Sequence, residues 1–137
     1  ALLYETTRIV DMKEGLEDYM EHHPESAKDL RQEAKRYESL AAMFTPMCKA
    51  YATEIGNQVA YDGLQIHGGT GFMKEFSAER HYRDVRITNI YEGTTQLQIV
   101  AAIGGVVKGV AQDIIAEYEK DFDFSTISFQ FVRSIGP

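Results

Sequence analysis

From Leu30 to Ile66 apolar side chains return at steps of three and four residues: Leu30, Ala34, Tyr37, Leu40/Ala41, Phe44, Met47/Cys48, Tyr51, Ile55, Val59 and Ile66. A stripe that keeps a helical period for about ten turns demands a long helix with its partners packed along one face. Pro46 falls in the middle of it. Proline lacks an N–H and crowds the preceding turn, which predicts a kink there or a short break after Phe44. Gly68-Gly69 closes the stripe, as glycine does past a helix C-terminus.

The flanking segments follow the same period. Leu2/Leu3, Thr6, Ile9/Val10, Leu16 and Tyr19/Met20 form a first stripe that ends at His22-His23-Pro24, with Pro24 expected to open the next helix. Ser77 is placed to cap a short helix carrying Glu79, Arg80, Arg83 and Asp84. Thr94 or Thr95 then caps a final helix expected to run in one piece to about Lys120. Between Leu97 and Val110 that helix is apolar nearly all round, with Gly104, Gly105 and Gly109 among the large residues. A helix without a polar face is buried on more than one side, so its second side is expected against another domain or subunit. The fold class is all-α: an antiparallel helical bundle of four-helix up-and-down type over residues 1–120, with 121–137 as a tail or linker. Three long helices and a short one fall short of a regular four-helix core, a second sign that helices come from elsewhere.

Composition narrows the function classes. The 137 residues suffice for one domain with a real core. A net charge of −7 and a pI near 5.0, with lysines and arginines interleaved among acids, argue against nucleic acid or an anionic membrane as partner. The single Cys48 excludes an internal disulfide, fits a reducing compartment, and reads as small core filler. No segment is long and apolar enough to span a bilayer, and Ala1–Tyr4 is too short for a signal peptide. The chain begins without methionine and is expected to be a piece of a longer polypeptide.

Two segments stand out chemically. Glu92 lies in Ile90-Tyr91-Glu92-Gly93-Thr94, some twenty residues after the glycine-rich turn Gln65-Ile66-His67-Gly68-Gly69-Thr70-Gly71-Phe72. A carboxylate followed by glycine has a backbone that can come close to a ligand. The upstream turn offers N–H groups of the kind that cradle phosphate. Together they suggest a base beside a nucleotide-containing cofactor. Each part alone has a plainer reading: a helix stop, a solvated loop carboxylate, and a charged helix face of Arg80, Arg83, Asp84 and Arg86. No strand precedes the glycines and no P-loop lysine follows, which excludes both common nucleotide fingerprints. His22, His23, His67 and His81 show no metal-ligand spacing, so no metal site is expected.

The whole string is far more specific than its parts. Gln65-x-x-Gly68-Gly69-x-Gly71-Phe72, Glu79-Arg80-x-x-Arg83-Asp84-x-Arg86 and Ile90-Tyr-Glu-Gly-Thr94-x-Gln96-x-Gln98 together resemble the C-terminal helical domain of the acyl-CoA dehydrogenase flavoenzymes. The likeness continues more loosely through Thr45-Pro46-x-x-Lys49-Ala50-Tyr51, a stretch most similar to longer members with a C-terminal extension.

The resemblance implies a homo-oligomer, dimer or tetramer, with FAD between a β domain and this bundle and its ADP half reaching a neighbouring subunit. It assigns Glu92 as catalytic base and places Gly93 where the substrate thioester passes. Gln65, Gly68 and Gly69 would contact the FAD pyrophosphate and ribose region across that subunit interface, and Thr94 and Gln96 the FAD next to the catalytic loop. The implied reaction removes a proton from Cα and a hydride from Cβ of an acyl-CoA, with electrons passing to an electron-transfer flavoprotein. Because the family's N-terminal helical and β domains are missing, this polypeptide alone is expected to bind FAD weakly or not at all and not to turn over acyl-CoA. Bacterial cytoplasm, or mitochondrial matrix in a eukaryote, is the expected compartment. Two other readings stay open: a helical oligomerisation module without catalysis, and an oxidase-type relative that passes electrons to oxygen.

Overall fold

The computed structural model describes residues 1–121, and these are helical, with no strand among them. The elements are α1 (Leu2–His22), α2 (Ala27–His67), α3 (Gly69–Phe72), α4 (Ala78–Val85), a 3₁₀ turn (Arg86–Asn89), α5 (Thr95–Val107) and α6 (Val110–Asp121). The expected tail lies, from residue 122 on, outside the described residues. Among the described residues no single helix is long and apolar enough to cross a membrane.

α1 and α2 form a hairpin whose tight connection turns the chain back on itself. The His23 amide donates to the Tyr19 carbonyl at 2.9 Å and the His23 ring stacks on Tyr19, with centroids 4.3 Å apart. Pro24 does not open α2, contrary to the sequence expectation. It sits in the turn, and helix geometry resumes at Ala27 after Ser26. Of the kink or short break expected near Pro46, the break is absent, since α2 is continuous over 41 residues. Pro46 is buried among Phe44, Cys48 and Ala50, so packing on both sides outweighs the roughly 3 kcal/mol that an interior proline costs.

The core gathers on the N-terminal half of α2. Ile9 of α1, fully enclosed, packs with Tyr37, Leu40, Ala41, Met43 and Phe44 of α2 and Ile114 of α6. The expected single final helix is two helices. It ends at Val107, Gly109 adopts φ +84°, and α6 leaves at 72° to α5. That bend returns Ile114 to the core and brings the Tyr118 hydroxyl to within 2.6 Å of Glu5 on α1. Arg36 of α2 pairs with Glu117 of α6 alongside.

α5 lies close on α2 because Gly105 carries no side chain: a Cβ there would stand 2.7 Å from Met43 Cβ. Among the described residues, however, α5 has no buried residue. Leu97, Val100 and Val107 are 62%, 62% and 80% exposed, and on the C-terminal half of α2 Val59 and Ile66 are exposed too. Among the described residues nothing covers this outer face of α5, the face the sequence reading expects against another domain or subunit.

Two predictions follow from this packing. Gly105→Ala gains about 1 kcal/mol of helix propensity but forces α5 away from Met43, at a cost of about 1–3 kcal/mol. The net result expected is a lower denaturation midpoint; a raised midpoint would contradict the close approach. The Arg8 guanidinium, donating to both carboxylate oxygens at 2.6 and 3.0 Å, holds Glu5 below its ordinary range, with Tyr118 adding to it and burial opposing. Burial, aided by the bond to Glu5, pushes the Tyr118 hydroxyl up to about 12. A depressed carboxylate stabilises the fold fully above the unfolded glutamate value of ~4.3 and loses that contribution as pH falls through the folded value. Thermal melts from neutral pH down through that range should show a smaller decline for Glu5→Gln than for the unchanged chain.

Candidate functional site

The residues around Glu92 are assembled by α2. Its side chains, met in order toward its C-terminus, grip the antiparallel stretch from α5 back to α4. Lys49 donates to the carbonyls of Gly93 at 2.6 Å and Tyr91 at 3.1 Å, and its ammonium stands 5.8 Å from the Tyr91 ring centroid. Glu54 accepts from the Thr95 hydroxyl at 2.7 Å. Asn57 donates to Asn89 Oδ1 at 2.6 Å, with longer bonds to the Val85 carbonyl and the Thr88 hydroxyl at 3.3 Å. Farther along, Tyr61 meets Tyr82 edge to face, with centroids 6.1 Å apart.

Glu92 itself has φ +54° and is the one non-glycine residue with positive φ among the described residues. A left-handed conformation costs a non-glycine residue on the order of 1–3 kcal/mol and persists only where the surroundings over-determine it. Here they do. Gly93 follows at φ +91°, and Gln98 donates to the Glu92 carbonyl at 2.8 Å. A Cβ on residue 93 would stand 2.6 Å from Gln98 Nε2 and displace that amide, and the positive φ itself favours glycine here. Each carbonyl from 91 to 93 thus accepts from a side chain, two from Lys49 and one from Gln98. The Glu92 residue is exposed, and among the described residues its carboxylate has no ion-pair partner within 4.0 Å. A fixed, solvent-facing and unpaired carboxylate can accept a proton from a bound molecule.

Thr94 caps α5, its hydroxyl accepting from the Leu97 amide at 3.4 Å. Gln96, on the first turn of α5, is exposed. Glu92, Gly93, Thr94 and Gln96 therefore form one group at the head of α5. An apolar groove of about 520 Å³ opens beside it, lined by Tyr51, Thr95, Ile99, Ile103 and Ile114 among others.

Gln65, Gly68 and Gly69 are not part of that group. Gly68 closes α2 with φ +60° and ψ −144°, its amide donating to the Gln65 carbonyl at 3.0 Å. Gln65, Gly68 and Gly69 are exposed, and a Cβ on either glycine would meet nothing within 4 Å. Nineteen residues separate Lys49 from Gly68, which is roughly 28 Å along a helix rising ~1.5 Å per residue. Within this chain the glycine turn at the end of α2 and the Glu92 turn held by Lys49 are thus separate, as expected where the two contact FAD from different subunits. Ser77 precedes α4 as expected, but its side chain makes no capping bond. Cys48 is buried.

Lys49 and Gln98 stood inside quoted motifs without a role, and Asn57 was not singled out at all. The partners of Lys49 and Asn57 lie 28 to 44 residues away, a distance at which periodicity and spacing carry no signal. Gln98, six residues from Glu92, was within reach of local reasoning once the left-handed turn is known.

Comparison with known proteins gives a consistent picture. The chain is 44% identical over 90 residues to a 3-methylmercaptopropionyl-CoA dehydrogenase of Ruegeria pomeroyi, covering 66% of this chain and 14% of that protein. It is 48% identical over 62 residues to the caffeyl-CoA reductase–Etf complex subunit CarC of Acetobacterium woodii, covering 45% of this chain and 16% of that subunit. The mitochondrial short-chain specific acyl-CoA dehydrogenase of Bos taurus matches at 47% over 62 residues, covering 45% of this chain and 15% of that enzyme. The chain thus spans about 14–16% of the length of these curated relatives. No solved structure gives a significant match. The family model for the acyl-CoA dehydrogenase C-terminal domain matches residues 8–104, from α1 into α5, and the chain belongs to that family.

Proposed function

We propose that this chain is the C-terminal helical domain of an FAD-dependent acyl-CoA dehydrogenase, in which Glu92 is the base for Cα–Cβ desaturation of an acyl-CoA thioester. The observation that carries the reading is the strained Glu92 turn, whose three carbonyls are all tied down while its carboxylate is left free. Oxidising a saturated thioester requires a base within hydrogen-bond reach of the Cα proton, and a positioned base contributes typically ~10²–10⁴-fold. Gly93, with no side chain, leaves a path for the thioester past the base. In the reductive direction, which the names of the Acetobacterium relative and of a 3-(aryl)acrylate reductase suggest, Glu92 would return the proton to Cα.

The residues present fit a dinucleotide. Open space over Gly68 and Gly69 admits a pyrophosphate onto the backbone, with Gln65 exposed beside it. Thr94 and Gln96 sit at the N-terminus of α5, an end that favours negative charge. When bound, FAD supplies acceptance of the hydride from Cβ, chemistry that no side chain here can perform. Because Lys49, which holds the Glu92 turn, lies roughly 28 Å along α2 from the glycine turn, one chain's glycine turn would serve a different flavin from the one its Glu92 faces. That favours a homo-oligomer, dimer or tetramer, and the exposed apolar residues of α5 are surface that such an assembly or the remaining domains would cover. Electron-transfer flavoprotein is the proposed electron acceptor, in keeping with the Etf complex in the Acetobacterium relative's name. A reducing compartment, bacterial cytoplasm or mitochondrial matrix, suits the lone buried thiol.

In the whole dehydrogenase, Glu92→Gln should abolish acyl-CoA-dependent flavin bleaching while the yellow flavin stays bound; normal turnover in that variant would remove Glu92 from the role of base. The 137-residue chain alone, mixed with FAD and desalted, should retain no visible flavin absorbance. Stoichiometric retention would show that the site needs no further domain.

A further inference from the structure

We propose that Lys49 is a positioning residue for Glu92, holding the catalytic turn through its backbone so that the carboxylate itself stays unpaired. The inference rests on the functional reading above and extends it to a residue 43 positions away in sequence.

The geometry is specific. Around two consecutive residues of positive φ, the carbonyls of Tyr91 and Gly93 converge on a single ammonium at 3.1 and 2.6 Å, while that of Glu92 between them goes to Gln98. A lysine is suited to this task because it offers several donors on one compact cation, and charge-assisted bonds to carbonyl oxygens are stronger than neutral ones. The same ammonium stands over the Tyr91 ring, a third contact with the segment. Lys49 is half-buried and sits between buried Cys48 and Ala50 on the 41-residue helix α2. Among the described residues its charge is not spent on any carboxylate within 4.0 Å, Glu92 included. An ion pair with Glu92 would stabilise the anion and weaken it as a base. Binding the carbonyls on either side fixes the base without that penalty.

The test uses the whole dehydrogenase and the best substrate from a panel of saturated straight-chain acyl-CoA thioesters, butanoyl to palmitoyl. Lys49→Met keeps the stem and removes the donors. It should lower kcat on the order of 10²-fold, the scale expected for a reacting group displaced by about an ångström. KM should stay within about threefold, since ground-state binding is untouched, and flavin content and assembly should be unchanged. Lys49→Arg keeps charge and donors and should recover most of the lost rate. In a Glu92→Asp background the Lys49→Met loss should shrink below about tenfold, because both changes act through one group.

A Lys49→Met enzyme within threefold of normal kcat would overturn the proposal. So would equal losses in the Arg and Met variants, flavin loss accompanying the rate loss, or full additivity with Glu92→Asp. Failure of the functional reading looks different. There, acyl-CoA fails to bleach the flavin of the unmodified enzyme, or Glu92→Gln turns over normally.

Discussion

Every other described element is fastened to α2, and the contacts change character along its length. Toward the N-terminus the contacts are apolar: Tyr37, Leu40, Met43 and Phe44 meet α1 and α6 in the core. Past Cys48 they become polar and specific, with Lys49, Glu54 and Asn57 each reaching a backbone or side-chain partner on the stretch from α4 to α5. Burial supplies the cohesion at one end, at about 25 cal/mol per Å² of apolar area. At the other end hydrogen bonds supply register. A single helix does both because residues 27–67 never leave helical geometry, even at Pro46.

The consequence for chemistry is a division of labour. The Glu92 turn pays conformational strain, and the side chains that hold it are donors, not carboxylate partners: Lys49 and Gln98 take the carbonyls and leave the acid group exposed. Strain at a residue whose side chain is free suits the base proposed for Glu92, since nothing would have to break before it acts. The glycine turn at the far end of α2 is built on a different principle. Its value lies in absence, with two exposed glycines whose missing side chains leave the backbone accessible.

The unpartnered surface belongs to the same account. α5 is fixed to α2 by the Gly105–Met43 approach and by Thr95–Glu54, yet its large apolar residues face outward. The chain covers only about one-sixth of its curated relatives' length, and an apolar face of this kind is stable when the rest of such an enzyme lies over it.

Much of the fold was legible in the sequence because helical periodicity is a local property. The 3.6-residue repeat located α1 and α2, His22-His23-Pro24 and Gly68 marked their ends, and Thr94 marked the start of α5. Motif spacing singled out Glu92 and the residues around it. Tertiary structure decided the rest. Packing kept Pro46 helical where propensity argued for a break, and the pull of Ile114 and Tyr118 toward the core bent the last helix at Gly109. It also brought Lys49 to the turn across 42 to 44 residues. A one-dimensional pattern records which face a residue shares with its near neighbours. Which distant group that face will meet depends on how whole helices cross, and that is settled only when they pack.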